Sequence, residues 1–388
     1  MNLFWKKLFG KLQSTEKYEA DKRQMFADFN RYAAVRESDI LKEYQELEKK
    51  MQTPEFARNK QEFTTKKYNS TEYYRDMQQY QKLEKRAAKL SDHEKKEFEA
   101  LKEKVNSKEF QEMNRFWANP KRWAETEGGK MEARFNELKK NPDIVFFFGC
   151  NYEKRFAFID NYEQILNEHF EYQKFSDSKW KPGFHYKSEQ MKAVHSFMNE
   201  QQANNGGKNV LMNGHLNIIT KPEKKEASYW HPGRGFLMKE FDYTSDVING
   251  NDVINTNKGL FRAKVRFNGS TEVNHALWLV GAQKTPHINI VKYDRGKLEM
   301  GIYYGSGQNI QYAHETIKGI KPGEWWYYEL AWNNNELIWY INNLEVFRTS
   351  VCVPNENLYP VFNSFIPSDR KGGEATFEVE FFHVFKMK

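Results

Sequence analysis

From residue 170 onward the chain is built of short β-favouring stretches separated by tight-turn signals, with no helical period between them, and this limits its fold more than any other feature. In GLFRAKVRF, Leu260, Arg262, Lys264 and Arg266 alternate with Phe261, Ala263, Val265 and Phe267, the period of two that gives a strand one polar and one apolar face. HALWLVGA, HINIVKY, LEMGIYYG, EWWYYELAW, ELIWYI, LEVFR and FEVEFFHVFK follow in the same manner. Asn213-Gly214 between NVLM and HLNIIT has the residues a two-residue hairpin turn requires, and Asn333-Asn334-Asn335 and Asn342-Asn343 mark further reversals. Many short strands without intervening helices predict an antiparallel sandwich or barrel. The abundance of aromatic residues (16% of the chain) suits a curved two-sheet jelly roll with a wide concave face.

The first part of the chain has the opposite texture. Residues from about 10 to 142 are rich in Glu, Lys, Gln, Ala and Met, all strong helix formers, and proline occurs only at element starts or breaks (Pro54, Pro120, Pro142). LEKKMQTPEF (47–56), KKYNSTEYY (66–74) and EALKEKVNSKEF (99–110) share one pattern: a basic run, a Ser or Thr, an acid and an aromatic. The Ser/Thr and the acid are what a helix N-terminus needs to satisfy its free N–H groups and its dipole. Each repeat therefore reads as a break between consecutive helices, giving an elongated array or a small bundle that serves as a stalk or as a docking element for protein partners. Aromatic, β-like texture at NPDIVFFFGC and RFAFI places a transition at 143–169. The whole is an α + β multidomain chain: an all-α array over 1–142, the transition, and an antiparallel β-sandwich over 170–388.

Charge excludes some classes of function. Residues 1–150 hold 32 Lys+Arg against 26 Asp+Glu, and the rest of the chain holds 28 against 27, so the net charge of +7 sits almost wholly in the helical part. The signs are interleaved there, as on a solvated helical surface, whereas a nucleic-acid partner needs basic residues gathered without compensating acids. Cys150 and Cys352 are too few and too far apart for a disulfide framework or a zinc site and read as buried thiols; no metal or other cofactor is expected. No window approaches 18 apolar residues, so no membrane span is expected, and the start, MNLFWKKLFGKLQ, lacks the apolar core of a secretion signal. Leu3, Phe4, Lys7, Leu8 and Leu12 make it a short basic amphipathic segment, read as a helix docked on the rest of the protein, with contact to a membrane surface as the alternative.

Five segments in order give the C-terminal part a resemblance. KFSDSKW resembles the opening strand of family-16 glycoside hydrolases, the laminarinase and lichenase group with a concanavalin A-like jelly roll. NVLMNGHLNIIT resembles the family's hairpin on an Asp-Gly turn, GLFRAKVRF the strand before the catalytic one, ELIWYINNLEVFR its W-Y-x-D-G hairpin, and FEVEFFHVFK its closing strand. The resemblance covers roughly 170–388. It implies chemistry on one strand written E-x-D-x-(x)-E, because retaining hydrolysis needs two carboxyl groups about 5–5.5 Å apart across the sugar. Here ALWLVG (276–281) leads to PHINIVKY (286–293). His287 falls at the nucleophile position, Asn289 at the assisting Asp, and Lys292 (with a bulge) or Val291 (without one) at the acid/base. Asp294 and Glu299, five residues apart, would face opposite sides of a regular strand.

The expectation is a sandwich without a catalytic residue, hence not an enzyme. His287, Asn289 and Lys292 would supply hydrogen bonds to a polysaccharide or surface glycan; alternatively His287 and Asn289 satisfy each other on a filled face. Trp278, Trp230, Tyr186, Tyr303 and Tyr304 are candidates for stacking on sugar, with Asn274 and His275 as polar contacts. Trp325, Trp326 and Trp339 read as core. Three functions stay open at this point: a non-catalytic carbohydrate-binding module on a helical stalk, for which a homo-oligomeric phage virion component made without an export signal is one setting; an active hydrolase of β-glucans or galactans with relocated acids; and a sandwich that binds nothing.

Overall fold

A computed structural model describes residues 1–186, 189–192 and 194–388. Among these, ten α-helices precede two sheets that pack as a β-sandwich. By packing, the chain falls into two compact units: Met25–Phe156, and Met1–Gln24 together with Ala157–Lys388.

In the helical unit the Ser/Thr signals do what their chemistry requires. Thr53, Thr71 and Ser107 each precede a helix and accept a hydrogen bond from the backbone N–H three residues on, at Phe56, Tyr74 and Phe110. Ser91 goes further and forms a reciprocal cap with Glu94. The repeats are therefore helix breaks, as their pattern predicts. Leu41, Tyr44, Leu138 and Ile144 form a small core, with Phe135 and Phe147 packed against it.

The β-like reading of 143–160 is corrected: Pro142–Gly149 and Tyr152–Asn161 are helices. Asn141 caps the first by accepting from Asp143 N, Pro142 sits in its first turn and Asp143 complements its dipole. These start signals outweigh the β preference of IVFFF. Neither cysteine is buried, contrary to expectation. Cys150 ends a helix and is half-buried, while Cys352 lies exposed in a turn with φ of 51°.

In the sandwich the smaller sheet runs Gln311–Lys318, Lys297–Tyr304, His287–Asp294, Asn274–Val280, Tyr359–Phe365, Val247–Asn249, Lys181–Pro182. The larger has Leu344–Thr349, Leu337–Ile341, Trp326–Trp332, Gly259–Gly269, Ala375–Met387, Leu216–His231 and Gly235–Ser245 along its main path. Among the described strands pairing is antiparallel except where Ser196–Phe197 and Gln202–Asn204 join the larger sheet in parallel. Phe261, Ala263, Val265 and Phe267 point into the core between the sheets, as their alternation predicts. Asn342 and Asn343 both take positive φ and close a two-residue hairpin, with Ile341 opposite Leu344. The turn at Asn213-Gly214 is one residue longer than expected, because Met212 pairs with Leu216 and leaves His215 in the loop. KFSDSKW is not a strand but a 3-10 turn leading to buried Trp180, whose Nε1 donates to Glu168. Trp326 and Trp339 are core residues, whereas Trp325 is half-buried and lies over the Arg266 guanidinium at 4.5 Å.

The polar face of Gly259–Gly269 is covered by the chain's own start. Tyr18 donates to Glu329, Arg262 bonds the same carboxylate at 3.0 Å, and Lys264 reaches Glu19 and Glu380 at 2.7 Å each. Burial alone would raise the pKa of Glu329, but Arg262 and Lys22 outweigh it and hold the carboxyl below its ordinary range. A carboxylate depressed in this way adds stability that is present above its unfolded pKa and lost as pH falls through the folded one. Glu329→Ala leaves Arg262 buried without its partner and is expected to cost about 3–5 kcal/mol in denaturant unfolding at neutral pH. That deficit shrinks as both proteins are taken into acid.

Candidate functional site

The face of the smaller sheet turned away from the core holds a cleft of about 400 Å³. Its floor follows from alternation on adjacent strands. On Asn274–Val280, Leu277 and Leu279 enter the core while Asn274, Ala276 and Trp278 face the cleft. On His287–Asp294 the alternation changes phase midway. Leu277 pairs with Val291 but Trp278 pairs with Asn289, so Ile290 has no partner of its own and the strand bulges. Ile288, Ile290, Val291 and Tyr293 therefore all enter the core, and His287, Asn289, Lys292 and Asp294 all face the cleft. Of the two registers open to the sequence, the bulged one forms, with Lys292 and not Val291 on the cleft side. The bulge turns the Asn289 carbonyl into the core, where the Trp339 indole donates to it at 2.8 Å.

An aromatic row crosses this floor. The His287 ring lies flat on Trp278 at 4.3 Å with 5° between planes, meets Tyr303 edge-on, and Tyr303 stacks on Tyr312 at 3.7 Å. Gly301 allows the strands to approach here, since a Cβ would meet the Ala313 carbonyl at 2.3 Å. Burial pushes the His287 pKa down to about 4, so the ring is neutral at pH 7. Its Nε2–H donates to Asn289 Oδ1 at 2.8 Å, and Asn289 Nδ2 donates to the Tyr312 hydroxyl at 3.1 Å. His287 and Asn289 thus satisfy each other and line the cleft together. Trp278 has one face covered by His287 and is 5% exposed, with Phe184 beyond it and Nε1 donating to Asn363, so it supports the floor and offers no open face.

The charged groups are arranged as opposed pairs. Lys292 Nζ bonds Glu299 at 2.8 Å and stands 3.9 Å from Asp294, and Arg370 bridges Asp294 at 2.9 Å and Asn274 at 3.0 Å. The expectation that Asp294 and Glu299 face opposite sides is corrected. A turn separates them, and cross-strand pairing sets Glu299 directly opposite Lys292, so both acids converge on one lysine. Glu200 also lines the cleft, 7% exposed, accepting a hydrogen bond from Phe197 N at 2.7 Å. Burial pushes its pKa up to about 7, against the weaker opposing effect of the hydrogen bond from Phe197 N.

Of the residues singled out from sequence, Tyr186, Asn274, Trp278, His287, Asn289, Lys292 and Tyr303 line this one cleft. Three do not. His275 is next to Asn274 and so points the other way, into the core, where it stacks on Phe267 and bonds Ser364; burial takes its pKa down to about 3. Tyr304 is turned away from the cleft for the same reason and packs against the core between the sheets. Trp230 sits on the ribbon Leu216–His231/Gly235–Ser245, edge-on to Phe236. Sequence reasoning missed Glu200, Asn363 and Arg370, which arrive from distant segments with no local motif to mark them.

No protein-family model matches the chain, and no curated protein matches its sequence. Among solved structures, the sandwich is similar to an endo-acting O-glycanase of the human gut microbiota (17% identity, TM-score 0.47, covering 59% of this chain and 92% of that one). It is also similar to the κ-carrageenase of Pseudoalteromonas carrageenovora (13%, 0.46, 58% and 96%) and to the laminarinase catalytic domain of Thermotoga maritima (14%, 0.45, 58% and 98%). A non-specific endo-β-1,3(4)-glucanase of family GH16 is similar over 59% of this chain and 92% of that one (16% identity, TM-score 0.45).

The raised pKa of Glu200 has a signed consequence. An acid whose folded pKa lies above its unfolded one costs nothing below about pH 4.5 and costs most above about pH 7, here on the order of 3 kcal/mol. Glu200→Gln keeps an acceptor for Phe197 N. It is expected to raise the melting temperature over wild type at pH 8 and to leave it unchanged at pH 4.5; equal melting at both pH values would contradict the assignment.

Proposed function

We propose that the cleft binds a segment of an uncharged polysaccharide and does not hydrolyse it. The observation that carries this reading is the cleft-facing row His287, Asn289 and Lys292, standing where the family resemblance calls for carboxylates. His287 is neutral and Lys292 is held by Glu299, so neither can act as the carboxylate partner of an oxocarbenium-like centre. The lining still suits a sugar. Half-buried Tyr303, Phe197 and Phe365 offer apolar surface, Asn289, Asn363 and Asn274 offer hydrogen bonds, and the charges of Lys292 and Arg370 are balanced by Glu299 and Asp294. Binding to a neutral chain therefore needs no large desolvation of unpaired charge.

A second reading has one observation in its favour. Glu200 and Asp294 line the same cleft, and Glu200 is poised to hold a proton near neutrality, so relocated acids would act on β-glucans or galactans. Against it, Asp294 is bonded to Arg370 and stands near Lys292, so its carboxylate is already engaged by two cations. Release of reducing ends from such polysaccharides would establish this reading over the first.

For the helical unit we propose a docking role towards protein partners, with display on an assembly such as a phage virion as the setting. Its support is the series of short, individually capped helices. A stable, non-assembling monomer in size-exclusion chromatography at all accessible concentrations would contradict it.

Titration calorimetry against soluble β-1,3-glucan, mixed-linkage glucan and galactan oligosaccharides tests the cleft. Tyr303→Ala is expected to weaken the binding by about tenfold, the worth of one aromatic contact. Trp230→Ala, outside the cleft, is expected to leave it unchanged. Equal effects of the two, or no heat with any sugar, would reject the reading.

A further inference from the structure

The first dozen residues carry a surface that the cleft does not explain. Leu3 and Leu12 are almost fully buried in the core of the sandwich unit, and Lys318 N donates to the Met1 carbonyl at 2.8 Å, so the segment is fastened along the outer strand Gln311–Lys318. Asn2 caps the helix Leu3–Leu8 by accepting from Phe4 N at 3.0 Å. With Leu3 and Leu12 turned inward, the other apolar residues have nowhere to go but out. Phe4, Trp5, Leu8 and Phe9 are 60%, 53%, 62% and 70% exposed. They form one patch, Phe4 edge-on to Trp5 and Trp5 stacked near Phe9. Four such residues within six positions differ from the scattered exposed apolar residues that any surface carries.

Charge decides what the patch fits. Residues 1–13 contain Lys6, Lys7 and Lys11 and no acid. A second copy of the chain meeting this patch about a two-fold axis would set three lysines against three lysines. An anionic lipid surface complements both features: aromatic and leucine side chains enter the boundary between headgroups and acyl chains, while lysines remain among the phosphates. We propose that this segment is an interfacial anchor that attaches the sandwich unit to membranes bearing acidic phospholipids. It requires no spanning helix, and none of the described helices is long and apolar enough to cross a membrane.

Co-sedimentation of the full chain with phosphatidylcholine vesicles, with and without phosphatidylserine, tests the proposal. The chain is expected to pellet with the phosphatidylserine vesicles and to remain in solution with phosphatidylcholine alone at low vesicle concentration. Trp5→Ser with Phe9→Ser is expected to abolish pelleting. Lys6→Glu with Lys11→Glu is expected to weaken partitioning by more than twenty-fold, at roughly five-fold for each lysine lost. Both variants keep Leu3 and Leu12, so their melting temperatures are expected to match wild type, which separates loss of the anchor from loss of fold. Failure of the wild-type chain to pellet would overturn the proposal. So would pelleting that survives the Trp5 and Phe9 changes, or a dimer in size-exclusion chromatography that those changes dissociate.

Discussion

The bulge at Ile290 is the constraint on which the cleft depends. A regular strand would carry Val291 to the cleft side after His287 and Asn289 and drive Lys292 into an apolar core, a cost that no partner there could offset. By absorbing one residue, the bulge keeps Ile288, Ile290, Val291 and Tyr293 inside and delivers Lys292 and Asp294 to the cleft. Its own backbone cost is limited because the carbonyl of Asn289 finds the Trp339 indole across the sandwich. The core and the site are thus joined by one hydrogen bond, and the polarity of the cleft is a consequence of how the two sheets pack.

The chemistry of the floor follows from burial. His287 lies between Trp278 and Tyr303 and is kept neutral, which fixes its Nε2 proton on Asn289 and makes the row a set of satisfied neutral groups. The cations and acids are tied to one another within the same cleft. Such a surface can offer contact and a few hydrogen bonds, but it holds no free carboxylate at the three positions where the family resemblance places the reaction. Glu200, a cleft-lining carboxyl whose pKa burial pushes up to about 7, comes from a different part of the fold.

What the sequence reveals and what it hides divide along physical lines. Wherever one face of a strand is buried, as in GLFRAKVRF, the alternation is legible, because a slip of one residue would invert it. The helix breaks are equally legible, since Thr53, Thr71 and Ser107 serve a local need of the backbone. Seven of the ten residues picked for the site line the cleft, and the misses are instructive. His275 and Tyr304 are nearest neighbours of correct choices and fail by the same period of two that made the others legible. Spacing alone sets Asp294 and Glu299 on opposite sides, because it does not show the turn between them. Arg370, Asn363 and Glu200 leave no local trace, since only the fold brings them to the cleft. The helices at 142–161 were hidden by their aromatic content, although Asn141, Pro142 and Asp143 spell out a helix start.

Whether the cleft holds a neutral polysaccharide and leaves it intact is read most directly by native electrophoresis through gels cast with each candidate polysaccharide. The expected result is a band retarded by at least one polysaccharide, with no cleared halo when the gel is stained for intact polymer. An unretarded band in every gel, or a halo around the protein, would contradict it.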